Sequence, residues 1–97
     1  MCTGIVESAK VSGSGKGPRG WFKLDEVNVS FDHPFDASVE HSLNIDFVNH
    51  AEGPSLRIAV ELTPESARKL VEAILTSLTR GEVQIGKDVT LTSQQLT

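Results

Sequence analysis

At Thr63 the apolar residues of this chain change period from two to about 3.6, and that change dictates most of what the sequence can fold into. Before it, three stretches alternate. Val27, Val29 and Phe31 oppose Asn28, Ser30 and Asp32; Leu43, Ile45 and Phe47 oppose Ser42, Asn44 and Asp46; Leu56, Ile58, Val60 and Leu62 oppose Arg57, Ala59 and Glu61. Each reads as a half-buried strand with one apolar face. After Thr63, the residues Ala67, Leu70, Val71, Ile74, Leu75 and Leu78 recur at the spacing of one helical stripe. Thr63 suits an N-cap, Pro64 the first helical position, and Glu65 the positive end of the helix dipole. Gly81 after Arg80 reads as a stop, so a helix is predicted over 64–80.

Residues 3–12 form a weaker first strand, because Ile5, Val6, Ala9 and Val11 do not alternate cleanly. The run SGSGKGPRG over 12–20 reads as a flexible loop and Ala51–Ser55 as a short turn. The strand through 27–32 extends back to Trp21, but its apolar parity switches between Leu24 and Val27. A bulge near Asp25-Glu26 absorbs the switch. The order β-β-β-β-α then predicts one α+β domain over residues 1–97. Its architecture is a two-layer one, with a four-stranded antiparallel sheet and one long C-terminal helix packed on the apolar face. The tail 82–97, carrying Val83, Ile85, Val89 and Leu91, is expected to add an edge strand or to be disordered.

Ninety-seven residues leave room for one core only. Nine basic against 13 acidic residues give a net charge of −4, which argues against nucleic acid or an anionic membrane as partner. The single cysteine, Cys2, excludes an internal disulfide framework and a CxxC zinc ribbon. Without a staple, a targeting pattern or an apolar run of the about 20 residues that span a bilayer, a cytoplasmic location is expected. A small sheet with an open edge and an unassigned apolar tail predicts a homo-oligomer.

The densest chemical stretch is FDHPFDASVEH over 31–41. With strands two and three as a hairpin, Val27 faces Phe47, Val29 faces Ile45, Phe31 faces Leu43 and His33 faces His41. A one-residue slip turns one strand inside out. Two facing imidazoles suit a divalent metal, with Glu40, Asp36 or Cys2 as a further ligand, and equally suit acid–base work. They also suit simple pinning of the hairpin, since their spacing matches no established zinc pattern. Loss of Met1 would expose the amine and thiol of Cys2 together, a chelating or nucleophilic pair.

On the opposite face the same register sets Asn28 against Asp46 and Ser30 against Asn44, with Arg57 and Glu61 flanking them. Such a face can bind a small polar ligand, with Asp46 as a base, or simply face water. The glycine run 13–20 fails the P-loop test, since Gly17 rather than Ser or Thr follows Lys16 and no helix follows. An apparent strand after it also excludes a dinucleotide fingerprint.

The opening Met-Cys-Thr, GSGKGPRGWF (13–22), FDHPFDASVEHSLNIDFVN (31–49) and AVELTPESARKLVEAIL (59–75) together resemble a family of small actinobacterial proteins catalogued only as a domain of unknown function. The DHP…EH…NIDF pattern is the most specific part. The resemblance implies a cytoplasmic stand-alone domain and carries over no activity. The family's cysteine matches Cys2, its two histidines His33 and His41, and its carboxylate Asp46. A histidine often stands in that family where this chain has Asp36, so one imidazole of a three-histidine site is lacking. Two function classes follow. One is a metal- or ligand-binding protein or small enzyme centred on His33 and His41. The other is an accessory or assembly domain acting through its polar face or tail.

Overall fold

A computed structural model of the chain describes residues 4–36 and 38–91. In chain order the elements are β1 (Ile5–Gly17), β2 (Gly20–Asp32), β3 (Ser42–Val48), a 3₁₀ segment (His50–Ser55), β4 (Arg57–Leu62) and α1 (Pro64–Leu91). The four strands form one antiparallel meander in the order β1-β2-β3-β4. Sheet and C-terminal helix make this an α+β fold. The chain divides into two compact units, Met1–Glu65 and Ser66–Thr97.

Within the sheet the alternation sets the register. Val27 pairs with Phe47, Val29 with Ile45 and Phe31 with Leu43; Ile45 in turn pairs with Val60 and Phe47 with Ile58. Side chains two apart share a face, so these residues form one apolar surface and Asn28, Ser30, Asn44, Asp46, Arg57 and Glu61 fall on the other. Ser42 is completely buried, and Leu24 is the buried hydrophobic of the described residues at 8% exposure.

Three features differ from expectation. The glycine-rich run is not a loop: it completes β1, pairing Gly13 with Leu24 and Gly15 with Phe22, and leaves only Pro18-Arg19 as the turn. Small residues carry no apolar parity, yet they allow a close approach. A Cβ on Gly15 would stand 2.7 Å from Ile58 Cδ1 and 3.3 Å from a Leu24 methyl. Proline at the first turn position favours an ordinary turn, and Gly20 at φ 109° returns the chain to the ladder.

The bulge lies at the expected level but on the other strand. Lys10 faces Glu26 and Gly13 faces Leu24, so Val11 and Ser12 of β1 oppose Asp25.

The helix runs through Gly81 and Gly86 to Leu91 instead of ending at Arg80, so residues 82–91 are helical and add no edge strand. Gly81 lacks the left-handed φ of a helix stop. An interior glycine costs about 1 kcal/mol, and the helical spacing of Leu78, Ile85 and Val89 continues past it. Along α1, Leu70, Val71, Ile74, Leu75 and Leu78 lie in one exposed apolar stripe.

Candidate functional site

The β2–β3 register runs to Asp32 opposite Ser42 and brings the next residues, His33 and His41, side by side. Their rings stack with centroids 5.1 Å apart and planes 23° from parallel; His41 stacks in turn on Phe31 at 5.5 Å and 6°. His33 Nδ1 lies 3.1 Å from the Glu40 carbonyl oxygen, which can only accept, so Nδ1 carries the proton. A metal ion lies in the plane of each imidazole that binds it. Stacked rings keep their lone pairs in separate planes, and the pair as it sits does not converge on one ion. Among the described residues no group of three His, Cys, Asp or Glu is gathered for a metal. Cys2 lies outside the described residues. Glu40 serves His33 through its backbone carbonyl.

The polar face is where groups converge. A recess of about 220 Å³ is lined by Ser30, Asp32, His33, Asn44, Asp46 and Arg57, among others. A neighbouring recess of about 300 Å³ shares Asp46 and Arg57 and adds Asn28, Asn49 and His50. Cross-strand pairing accounts for this: Ser30 faces Asn44 and Asn28 faces Asp46, while Arg57 enters from β4. Arg57 Nε stands 3.7 Å from Asp46 Oδ1, and the two side chains are 48% and 35% exposed.

Other groups of this face have structural duties. Glu61 accepts the backbone amides of Phe35 and of Asp36, the latter at 3.0 Å, and so ties the 33–41 loop to β4. Asp32 accepts the His33 amide at 2.8 Å. Ser42 Oγ donates to Asn44 Oδ1 at 2.6 Å, and Ser8 Oγ to Asn28 Oδ1 at 2.5 Å.

Thus Ser30, His33, Asn44, Asp46, Arg57 and Glu61 line one recess, Asn28 borders the next, and His41 belongs to the ring stack.

One cluster escaped the sequence reading. His50 donates its amide to both oxygens of Asp25 at 3.3 Å, and its ring lies 3.4 Å from Asp25 and 3.5 Å from Glu26. Lys10 Nζ meets Glu26 Oε1 at 3.0 Å. That hydrogen bond holds the Glu26 carboxyl below its ordinary value near 4.5; burial opposes it and the His50 charge assists it. The signal was present in the register. Glu26 pairs with Val48, so the same register carried on sets Asn49 opposite Asp25 and His50 diagonally next to it.

Fold and site together define a small sheet-and-helix protein with an open polar recess. Residues 1–87 match the family described as "Family of unknown function (DUF6295)", and the chain belongs to it. Comparisons with curated proteins and with solved structures each give no match.

Proposed function

We propose that this protein binds a small polar ligand on the polar face of its sheet, in the recess beside the β2–β3 hairpin end. The observation that carries the reading is the meeting of Ser30, Asn44, Asp46 and Arg57, from three strands, in one recess. Ligand sites combine a concave surface with a few converging polar groups, and a merely solvated face needs neither. His33 lines the recess at the hairpin end, and His41 stacks on it from behind. Their planes argue against a metal as the bound species, since chelation requires one ring to rotate out of the stack.

Titration of ¹⁵N-labelled protein with a panel of small polar compounds tests this. Shifts confined to Ser30, Asn44, Asp46 and Arg57, and abolished by Asn44→Ala, are expected. Zinc that binds one per chain and is lost in both His33→Ala and His41→Ala would replace the ligand reading with the metal one.

Assembly is a second reading with its own observation. Val71, Ile74, Leu78 and Ile85 follow a heptad spacing along α1 and are 50–63% exposed. Such a seam is self-complementary, and its occupant in this reading is a second copy of the chain. Light scattering at micromolar concentration is expected to give a particle of twice the 10.5 kDa chain mass or more. A particle at the chain mass overturns it.

A further inference from the structure

The recess also limits the chemistry of what it holds. Resting on the ligand reading above, we infer that the ligand is a zwitterion of the amino-acid type, with its carboxylate on Arg57 and its ammonium on Asp46. The argument counts which charged groups are already committed. Three carboxylates line the recess, those of Asp32, Asp46 and Glu61. Asp32 takes the His33 amide, and Glu61 takes the Phe35 and Asp36 amides with both of its oxygens. These two carboxylates are engaged in holding the hairpin end together.

Asp46 and Arg57 are different. They touch through one atom each, Nε and Oδ1, at 3.7 Å. A closed charge-assisted pair sits at about 2.7–2.9 Å and is often bidentate. The long single contact leaves the two terminal NH₂ groups of the guanidinium and the second oxygen of Asp46 outside it. Both side chains are partly exposed, and both line both recesses, at about 220 and about 300 Å³. The pair therefore stands at the junction of two spaces.

Charge selects the ligand from there. An anion drawn to Arg57 is opposed by Asp46 beside it, and a cation drawn to Asp46 is opposed by Arg57. A molecule that carries both charges a few ångströms apart satisfies both and brings no net charge into a recess already rich in carboxylates. Neutral donors line the same recess, in the strand row next to Asp46. Ser42 donates to the oxygen of the Asn44 amide, which leaves its NH₂ as a donor, and the Ser30 hydroxyl is its cross-strand partner. The remainder of the ligand extends into either recess.

The test is an NMR and calorimetric titration of the full chain with glycine, L-serine and L-glutamine. Acetate, ethylammonium and glucose serve as the single-charge and uncharged comparators. Expected is saturable binding of at least one amino acid, ten-fold or more tighter than any comparator, with shifts at Ser30, Asn44, Asp46 and Arg57. Arg57→Gln and Asp46→Asn, both at partly exposed positions, should each weaken it ten-fold or more while leaving the remaining spectrum folded. A comparator that binds in the recess as tightly as the amino acids overturns the zwitterion and leaves the ligand reading standing. No shift in the recess with any of the six compounds overturns both.

Discussion

β2 serves two hairpins, and they are held in different ways. With β1 it closes through Pro18-Arg19, between Gly17 and Gly20, and runs as a long narrow arm. With β3 it closes across residues 33–41, a wide connection whose described residues belong to no strand or helix. Near its turn the arm is fixed by the turn and by an apolar meeting, Leu24 with Gly15 and Ile58, and further along by Lys10 with Glu26 and Ser8 with Asn28. The wide loop is fixed from outside, by a ring stack below it and by Glu61 of β4 accepting two of its amides. An apolar clamp fills the space it closes, whereas a polar clamp at a strand end holds a loop and leaves the sheet face open. The recess lies at the second hairpin for that reason.

The comparison breaks most readily at the arm. Leu24→Ala removes the buried apolar side chain and should cost about 2–5 kcal/mol in denaturant unfolding. A loss under about 0.5 kcal/mol, the range of surface sites, would mean that the apolar meeting does not hold the arm. Gly15→Ala approaches the same contact from the other side. The added Cβ meets Ile58 Cδ1 at 2.7 Å, the far end of a half-buried side chain that can turn aside, so the change should cost about 1 kcal/mol, the low end of overpacking. Ile58→Val deletes that methyl, so the cost of Gly15→Ala should shrink in the Ile58→Val background. Equal costs in both backgrounds would show that the backbone of β1, and not this contact, resists the change.

The two hairpins also differed in how legible they were. The β2–β3 register was readable because both strands carry apolar side chains at alternate positions, so that a one-residue slip would turn Val29 and Phe31 or Leu43 and Ile45 to the other face. The outer arm was not. Gly13, Ser14, Gly15, Lys16 and Gly17 have no apolar parity, and their pairing depends on a turn and on a side chain from distant β4. The polar recess was foreseen as a face, since Ser30, Asn44, Asp46 and Arg57 follow from register. That Glu61 is engaged by the loop was not, because its partners are backbone amides that every sequence has. The end of α1 was misplaced for a related reason: Gly81 ends a helix only where a left-handed residue is formed there, and none is.

A smaller effect sharpens the account of the wide loop. Glu61→Gln keeps the shape of the side chain and removes its charge, weakening two exposed charge-assisted hydrogen bonds by about 1 kcal/mol. Amide exchange at Phe35 and Asp36 should accelerate by several-fold while exchange in β1 stays unchanged. Acceleration spread evenly over the whole sheet would mean that Glu61 supports β4 and not the loop.

The least effect is expected at Glu26, which belongs to both hairpins, opposite Lys10 on one side and Val48 on the other. Its carboxyl is held below the ordinary value near 4.5, chiefly by the Lys10 hydrogen bond. A carboxyl depressed on folding stabilises the folded state above its unfolded-state value, and that contribution is lost as pH falls through the folded-state value. Stability should therefore fall on acidification below about pH 4.5, and Glu26→Gln should flatten that part of the curve. The flattening will be slight, because Lys10 is 78% exposed and the pair is screened by salt. Lys10→Ala should imitate most of it and His50→Ala a lesser part, following the order of their influence on the carboxyl. Denaturation midpoints from about pH 6 to about pH 3, at low and high salt, decide the matter. Wild type and Glu26→Gln should differ at the upper end and converge at the lower. A gap that persists at the acid end would mean that the side chain acts through packing at the junction of the two hairpins, not through its charge.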